Sequence, residues 1–350
     1  MKNVLVLGKF RPMHIGHEAM IDFARNVAGY YSNVHIVIAD HDETFYMRYA
    51  ILKRKYQEHP NIYVNAINDT HYQGENFDEN GTCLDEGFME KWAKLISNHV
   101  PSKITHVVSS DLYGKELAKA LGAVWSPFDP DRELFPISAT EIRESIPRYW
   151  DKIVSEFRSL YGISICVVGP ESTGKSTLVK TLTKEYDWLY DNVGYVPEYG
   201  RIYSDHKEGD WNFLDFDAIN TGQRSMIRSA QKQNILTFVD TEAYTTYLFG
   251  KLYLDNPGPE LENLVDVASI IQDFDHYLLL KPNVKWVQDG QRILEKQEER
   301  EKFFNDMKDF LDENGFPYTI IDTQDWEHRR YVAMNIVDKV IDEKLSTLKY

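Results

Sequence analysis

Cysteine is nearly missing from this 350-residue chain: there are two, Cys83 and Cys166, far apart, with the second inside an apolar strand pattern. That spacing excludes a disulfide framework and points to a reducing compartment. Long hydrophobic runs are missing too. No stretch approaches bilayer-spanning length, and after Lys2 only VLVL precedes Gly8, too little for the apolar region of a signal peptide. The chain therefore reads as soluble and cytoplasmic, with no membrane partner. Positive charge is also scarce, 39 Lys and Arg against 55 Asp and Glu, for a formal charge of -16. Such a balance gives polyanions no general attraction, so DNA or RNA binding is not expected, and any phosphate site must gather its cations locally. Repeats and low-complexity tracts are absent, and the sequence leaves a homo-oligomer open.

What is present is ordinary globular composition, 43% hydrophobic and 27% charged. The length exceeds what one core usually serves, so two domains of roughly 150 to 190 residues are expected. NVLVLG (3 to 8) is a short apolar run ending in glycine, the pattern of a buried parallel strand turning into a loop. A helix is expected from His17, with a second strand at NVHIVIAD (33 to 40). Further strands are expected at 61 to 67 and 104 to 110, and helices around 48 to 58, 86 to 98 and 114 to 121. Residues 68 to 85 read as a polar loop, and 142 to 161 as an amphipathic helix. A new strand, ISICVVG (163 to 169), restarts the alternation, so the boundary falls near residue 160, with domains over 1 to 158 and 162 to 350. A helix from Lys175, a strand near Tyr195, a helix over 214 to 233 and strands ending near Asp240, Leu280 and Asp322 follow. This alternation predicts two α/β domains with parallel sheets, the first Rossmann-like, the second a P-loop domain.

GPESTGKST matches GxxxxGK[ST] between an expected strand and helix. Gly169, Glu171, Ser172, Thr173, Gly174, Lys175, Ser176 and Thr177 would form the cradle, in which glycines let backbone N–H groups converge on phosphates. Lys175 can reach the β and γ phosphates of ATP, and Ser176 can join a Mg²⁺ shell. Asp240, closing LTFVD, suits the second carboxylate of that shell; Asp275 is its rival, and an ordinary helix cap is the plainer alternative. In VPEYGR, Glu198 can accept a proton from a substrate hydroxyl and Arg201 can bind a phosphate, unless the two form only a surface ion pair. WVQDGQR with Arg292, followed by Arg300, offers arginines to close over a phosphoryl group, unless the charged EKQEEREK run is merely a solvated helix.

At the other end, GKFRPMHIGH (8 to 17) sets His14 and His17 three apart beside Lys9 and Arg11, where the first strand meets the first helix. Two imidazoles and two cations there suit nucleotidyl transfer, which needs ATP positioned and charge on the α-phosphate stabilised. Zinc is the competing chemistry, though no third ligand lies at a typical spacing, and simple helix capping by the histidines also stays open. Downstream, in ISATEIRE, Ser138 or Thr140 can cap a helix with Arg143 one turn on.

Taken together, GKFRPMHIGH, FDPDRELFPISATEIR, GPESTGKST, VPEYGR, VDTEAYTTYLF and WVQDGQR, in that order, resemble the NadR family over nearly the whole chain. Its members join a nicotinamide mononucleotide adenylyltransferase domain to a ribosylnicotinamide kinase domain. The resemblance implies ATP bound in the first domain by Gly8, Lys9, Phe10, Arg11, His14, His17, Ser138, Thr140 and Arg143. In the second it implies ATP on the P-loop and Arg292, Mg²⁺ on Ser176 and Asp240, and substrate at Glu198, Tyr199, Arg201, Asp240, Trp286 and Asp289. His14, His17, Arg143, Lys175, Glu198 and Asp240 would be catalytic, with Glu198 and Asp240 rivals as general base. The ligands implied are nicotinamide riboside, its mononucleotide, ATP and product NAD. Some members carry a helix-turn-helix domain, which is not expected here since the first strand begins at Asn3. Asp111 replaces the usual glutamate of an SE pair, and Gln291 an apolar lid residue. Two other readings remain: an adenylyltransferase and kinase fusion for other acceptors, and a nucleotide sensor without turnover.

Overall fold

The computed structural model describes residues 1–70, 87–254, 257–263 and 274–348. Of the expected polar loop only 68–70 lie within them, and Cys83 lies outside. The chain divides into two compact units, Met1–Leu160 and Tyr161–Tyr350.

In the first unit β1 (Asn3–Gly8) pairs in parallel with β2 (Asn33–Asp40), from Asn3 opposite Asn33 to Gly8 opposite Ile38. β3 (Ile62–Asn68), β4 (His106–Ser109) and β5 (Val124–Pro127) complete a five-stranded parallel sheet of order β3-β2-β1-β4-β5. Val4, Leu5, Val6, Ile36, Val37 and Ile38 are buried because parallel strands are covered on both faces. The crossover helices are α1 (Ile15–Ala28), α2 (Phe45–Lys55), α3 (Phe88–His99) and α4 (Tyr113–Leu121). β5, half exposed and only four residues long, carries no apolar run and was not expected.

One expectation fails here. Residues 142–161 do not form a helix: α5 (Ala139–Glu144) stops, and short 3₁₀ turns follow at Trp150–Lys152 and Ser155–Leu160. Pro147 lacks the N–H a continuing helix needs, and its ring would strike the preceding turn. The apolar periodicity still buries Trp150 and Phe157. Between the turns the chain runs extended, and Val154 N donates to Met13 O at 3.0 Å, fastening the first loop.

In the second unit β6 (Ile163–Val168), β7 (Val193–Val196), β8 (Leu236–Asp240), β9 (His276–Leu280) and β10 (Tyr318–Ile321) form a parallel sheet of order β10-β9-β6-β8-β7. Around it lie α6 (Lys175–Asp187), α7 (Tyr199–Ser204), α8 (Phe213–Gln233), α9 (Ala243–Tyr253), α10 (Gln297–Glu313) and α11 (Trp326–Thr347). The charged run EKQEEREK opens α10, yet that helix is amphipathic rather than merely solvated: Phe303, Phe304, Met307, Phe310 and Leu311 enter the core. No described helix is long and apolar enough to cross a membrane.

Candidate active sites

In the first unit the loop between β1 and α1 carries the histidine pair. His14 is the N-cap of α1, and its Nδ1 accepts from Gly16 N at 3.2 Å. His17 Nδ1 accepts from His14 N at 3.3 Å, and the ring centroids stand 3.8 Å apart. The glycine between them leaves room for this packing, since a Cβ on Gly16 would press to 3.1 Å from the His14 ring. Capping therefore occurs, but it occupies only Nδ1 of each ring. A neutral imidazole whose Nδ1 accepts must carry its proton on Nε2, so both rings present an N–H donor. Both stay neutral: burial, and then the charge of Arg132, push His14 down to about 4. Burial, His14 and Arg132 hold His17 well below its ordinary value.

This makes a prediction about acid stability. Between pH 6.5, the ordinary value, and about 4, an unfolded His14 takes up a proton that the folded one refuses. Unfolding is therefore favoured as pH falls through that window, by up to roughly 3 kcal/mol for this group, and its contribution is constant above the window. The stability gap between the wild-type chain and His14→Gln should be narrower near about pH 4.5 than at about pH 7 in urea unfolding. A gap independent of pH contradicts it.

The second motif joins the first through one arginine. Ser138, not Thr140, caps α5: its Oγ accepts from Glu141 N at 3.1 Å, and Glu141 Oε2 accepts from Ser138 N at 2.8 Å. Thr140 Oγ1 instead accepts from Arg143 Nη2 at 3.2 Å, and Arg143 Nη1 donates to Arg11 O at 2.6 Å. The loop is also braced from α2 and the end of β2. Arg48, fully buried, donates to Asp40 Oδ2 at 2.9 Å, to Asp42 Oδ1 at 2.7 Å and to the carbonyl of Lys9. Arg11 Nη1 pairs with Asp42 Oδ2 at 3.0 Å, and Lys9 Nζ stands 3.7 Å from Asp40 Oδ1. Phe10 is buried, its ring over Gly8 and edge-on to His17 at 5.2 Å, so its ring packs within the loop rather than facing solvent.

Arg132 escaped the sequence analysis. It sits in FDPDRELF with φ +53°, in a loop shaped by Asp129, whose carboxylate accepts from Leu134 N and Phe135 N. Among the described residues, the His, Cys, Asp and Glu group close enough to share a cation is Asp40, His41 and Asp69. Neither His14 nor His17 belongs to it, which leaves the zinc reading without a third ligand.

In the second unit the P-loop joins β6 to α6. Gly174 has φ +85°, and a Cβ there would stand 2.1 Å from the Trp326 ring, so only glycine fits. Lys175 Nζ donates to Pro170 O at 3.0 Å and Thr173 Oγ1 to the same oxygen at 2.8 Å, while Thr177 is exposed. Arg300 corrects an expectation. It does not close over a phosphate; it is buried and donates to Glu171 O at 3.2 Å and Val284 O at 3.1 Å. The fully buried Arg329 does the same from α11, reaching Thr173 O and Thr323 O. Two arginines thus hold the loop's backbone from behind, a role that only burial reveals.

Asp240 ends β8 fully buried, with its Oδ1 unpartnered. Burial, and then the neighbouring Glu198, push it up to about 6, against the opposing pull of Lys175 and a hydrogen bond from Ser176. Its rival Asp275 lies at the wrong end of the sheet: it precedes β9, accepts from Ser164 N at 2.8 Å and pairs with Lys344 at 2.9 Å. Glu198 and Arg201 do form an ion pair, at 2.9 Å, but both line a cleft beside Lys175 rather than lying on open surface. Arg201 continues to Asp289 at 2.7 Å, and Asp289 to Arg292 at 3.0 Å.

Gln223 ties together the backbone next to both carboxylates. Its Oε1 accepts from Tyr199 N at 2.7 Å and its Nε2 donates to Asp240 O and Thr241 O, each at 3.4 Å. Thr241 itself has φ +70°, a costly conformation for a β-branched residue and one found where structure holds a site in tension. The cleft's aromatic wall, Trp211, Phe216 and Tyr253, had no sequence signal; Trp211 stands 5.1 Å from Tyr253. Of the expected substrate residues Glu198 and Arg201 line the cleft, Asp289 joins it through Arg201, and Asp240 stands beside Glu198. The Tyr199 ring covers Gly222 of α8, and half-buried Trp286 is not among the lining residues. Gln291 lines the cleft and donates to Asp205 at 2.5 Å.

The fold and loops define a Rossmann-like parallel-sheet unit with a histidine loop followed by a P-loop α/β unit. A family profile described as an AAA domain matches residues 164–329. The chain is 29% identical over 369 residues to the trifunctional NAD biosynthesis/regulator protein NadR of Escherichia coli (strain K12), covering 97% of this chain and 83% of the relative. Two solved structures share the fold: a NadR protein in complex with NR, TM-score 0.64 at 24% identity, and one in complex with NAD and AMP-PNP, TM-score 0.65 at 23%. Each match covers 97% of this chain and 96% of the other. Over nearly its whole length the chain is similar to NadR proteins.

Proposed function

We propose that this chain is a bifunctional NAD salvage enzyme. Its second unit phosphorylates nicotinamide riboside with ATP, and its first transfers the adenylyl group of a second ATP to the resulting mononucleotide, releasing pyrophosphate and NAD. One observation carries the reading: a single chain holds both a histidine loop and a P-loop, and the second opens on a cleft lined by Glu198 and an aromatic wall, with the buried Asp240 carboxylate beside Glu198. Relatives named for NAD biosynthesis, and neighbours holding NR, NAD and AMP-PNP, point to the same ligands.

In the kinase unit the aromatic wall suits a nicotinamide ring, and the ribose would extend toward Glu198 and Asp240. Ser176 and Asp240 suit Mg²⁺: a hydroxyl shares a buried carboxylate whose other oxygen has no partner, and hard oxygens are what that ion takes. When bound it would neutralise charge on the β and γ phosphates. With Asp240 on the cation side, Glu198 is the carboxylate to take the 5′-hydroxyl proton as that oxygen attacks the γ-phosphorus and ADP leaves. Lys175, Arg201 and Arg292 offset the charge. In the first unit a phosphate oxygen of the mononucleotide attacks the α-phosphorus directly. The Nε2–H groups of His14 and His17 would donate to its oxygens, with Lys9, Arg11, Arg132 and Arg143 supplying positive charge against the chain's acidic background.

Because Asp240 must be ionised to hold the cation, riboside phosphorylation should fall as pH drops below about 6 when magnesium is limiting. Saturating magnesium should move that acid limb lower, since a bound cation favours the charged carboxylate. Profiles of kcat/KM at two magnesium concentrations check this; superimposable limbs contradict it. The function itself is tested by giving the purified chain Mg-ATP with the riboside or the mononucleotide and separating products by chromatography. Mononucleotide and NAD, respectively, are expected, and the absence of both overturns the assignment.

A further inference from the structure

Residues 286–294, WVQDGQRIL, contain no helix or strand, and Val287 and Ile293 are exposed; only Leu294 is buried in the core. A segment with so little packing needs other attachments to stay in place. They come from the P-loop itself. Glu171, 7% exposed, does not turn its carboxylate toward the phosphate cradle's N–H groups: its Oε2 accepts from Ile293 N and Leu294 N, both at 2.9 Å. Next to it Ser172, at φ +61°, accepts on its Oγ from Val287 N at 2.9 Å and from Arg292 Nη1 at 3.1 Å. Two neighbouring P-loop side chains therefore grip both ends of the segment that carries Asp289 and Arg292. Through Asp289 the grip extends to Arg201 and Glu198 in the cleft.

We infer that Glu171 is a positioning residue of the kinase site, which with Ser172 latches the 287–294 segment onto the P-loop and so presents Arg292 to the transferring phosphoryl group. A carboxylate suits the task because one charged oxygen can accept two backbone N–H groups, and charged acceptors bond about twice as strongly as neutral ones. The inference rests on the kinase reading for its chemistry, but the latch exists or fails without any substrate.

The test uses the full chain and two readouts. In hydrogen exchange without nucleotide, Glu171→Ala should raise the exchange rates of the Ile293 and Leu294 amides by about tenfold or more, and Glu171→Gln, which keeps an accepting oxygen, should preserve most of the protection. In riboside phosphorylation, Glu171→Ala should lower kcat on the order of 10- to 100-fold with little change in the KM for riboside. The double variant with Arg292→Ala should be no slower than Arg292→Ala alone, because both remove one device. Multiplying losses, or unchanged exchange in Glu171→Ala, would overturn the latch. If Glu171→Ala does not fold, Ser172→Ala replaces it, with Val287 as the amide read and the same double-variant criterion. If the wild-type chain phosphorylates no riboside, the kinase reading fails, and the exchange result alone decides the latch.

Discussion

Lys175→Ala is expected to lower riboside phosphorylation by on the order of 10³-fold or more while leaving adenylyl transfer to the mononucleotide within about twofold of wild type. Lys175 is buried, lines the kinase cleft and donates to Pro170 O inside the P-loop, so its charge sits at low dielectric where a phosphate would lie. Alanine leaves the transferring group without its nearest fixed cation. Arg201 and Arg292 remain but are already paired with Asp289, and Arg300 and Arg329 face the loop's backbone from behind. Loss of that size equals about 4 kcal/mol of transition-state stabilisation. The measurement is steady-state kinetics of each half-reaction on the same preparation. Loss of both activities with the fold intact contradicts independent sites.

The reverse is expected of His17→Ala: adenylyl transfer falls roughly 10²- to 10³-fold, and phosphorylation is spared. His17 acts at two levels. Its Nδ1 accepts from His14 N and fixes the entry to α1, and the same bond sets its tautomer so that Nε2 donates. Since burial keeps the ring neutral, donation rather than proton transfer is what it offers. His17→Asn, which keeps an amide donor and acceptor, should therefore recover part of the rate, whereas a general-acid role would leave it as slow as alanine.

How much of this was legible beforehand follows from how local each signal is. β1 and β2 match their apolar runs, and the P-loop was readable because its glycines, lysine and serine lie within one short stretch. The histidine loop was legible for the same reason. What failed depended on distant partners. Arg300 sits in a Glu- and Lys-rich run and looks solvated until Glu171 O and Val284 O are seen to receive it. Arg132 gave no sign because its influence on the histidines comes through loop geometry at positive φ, not spacing. Gln223 and the wall of Trp211, Phe216 and Tyr253 come from two separate stretches, 211–223 and the end of α9, that only the fold brings to one cleft. The helix expected across 142–161 failed locally, since Pro147 outweighs an apolar periodicity that turns satisfy equally well.

The central claim, two sites on one chain acting in succession, is tested most directly by mixing variants. Nicotinamide riboside and Mg-ATP are supplied to Lys175→Ala, to His17→Ala and to an equimolar mixture, and NAD is quantified by chromatography. Lys175→Ala should make neither mononucleotide nor NAD, His17→Ala should accumulate the mononucleotide, and the mixture should make NAD. NAD from either variant alone at the wild-type rate, or none from the mixture, would contradict the account.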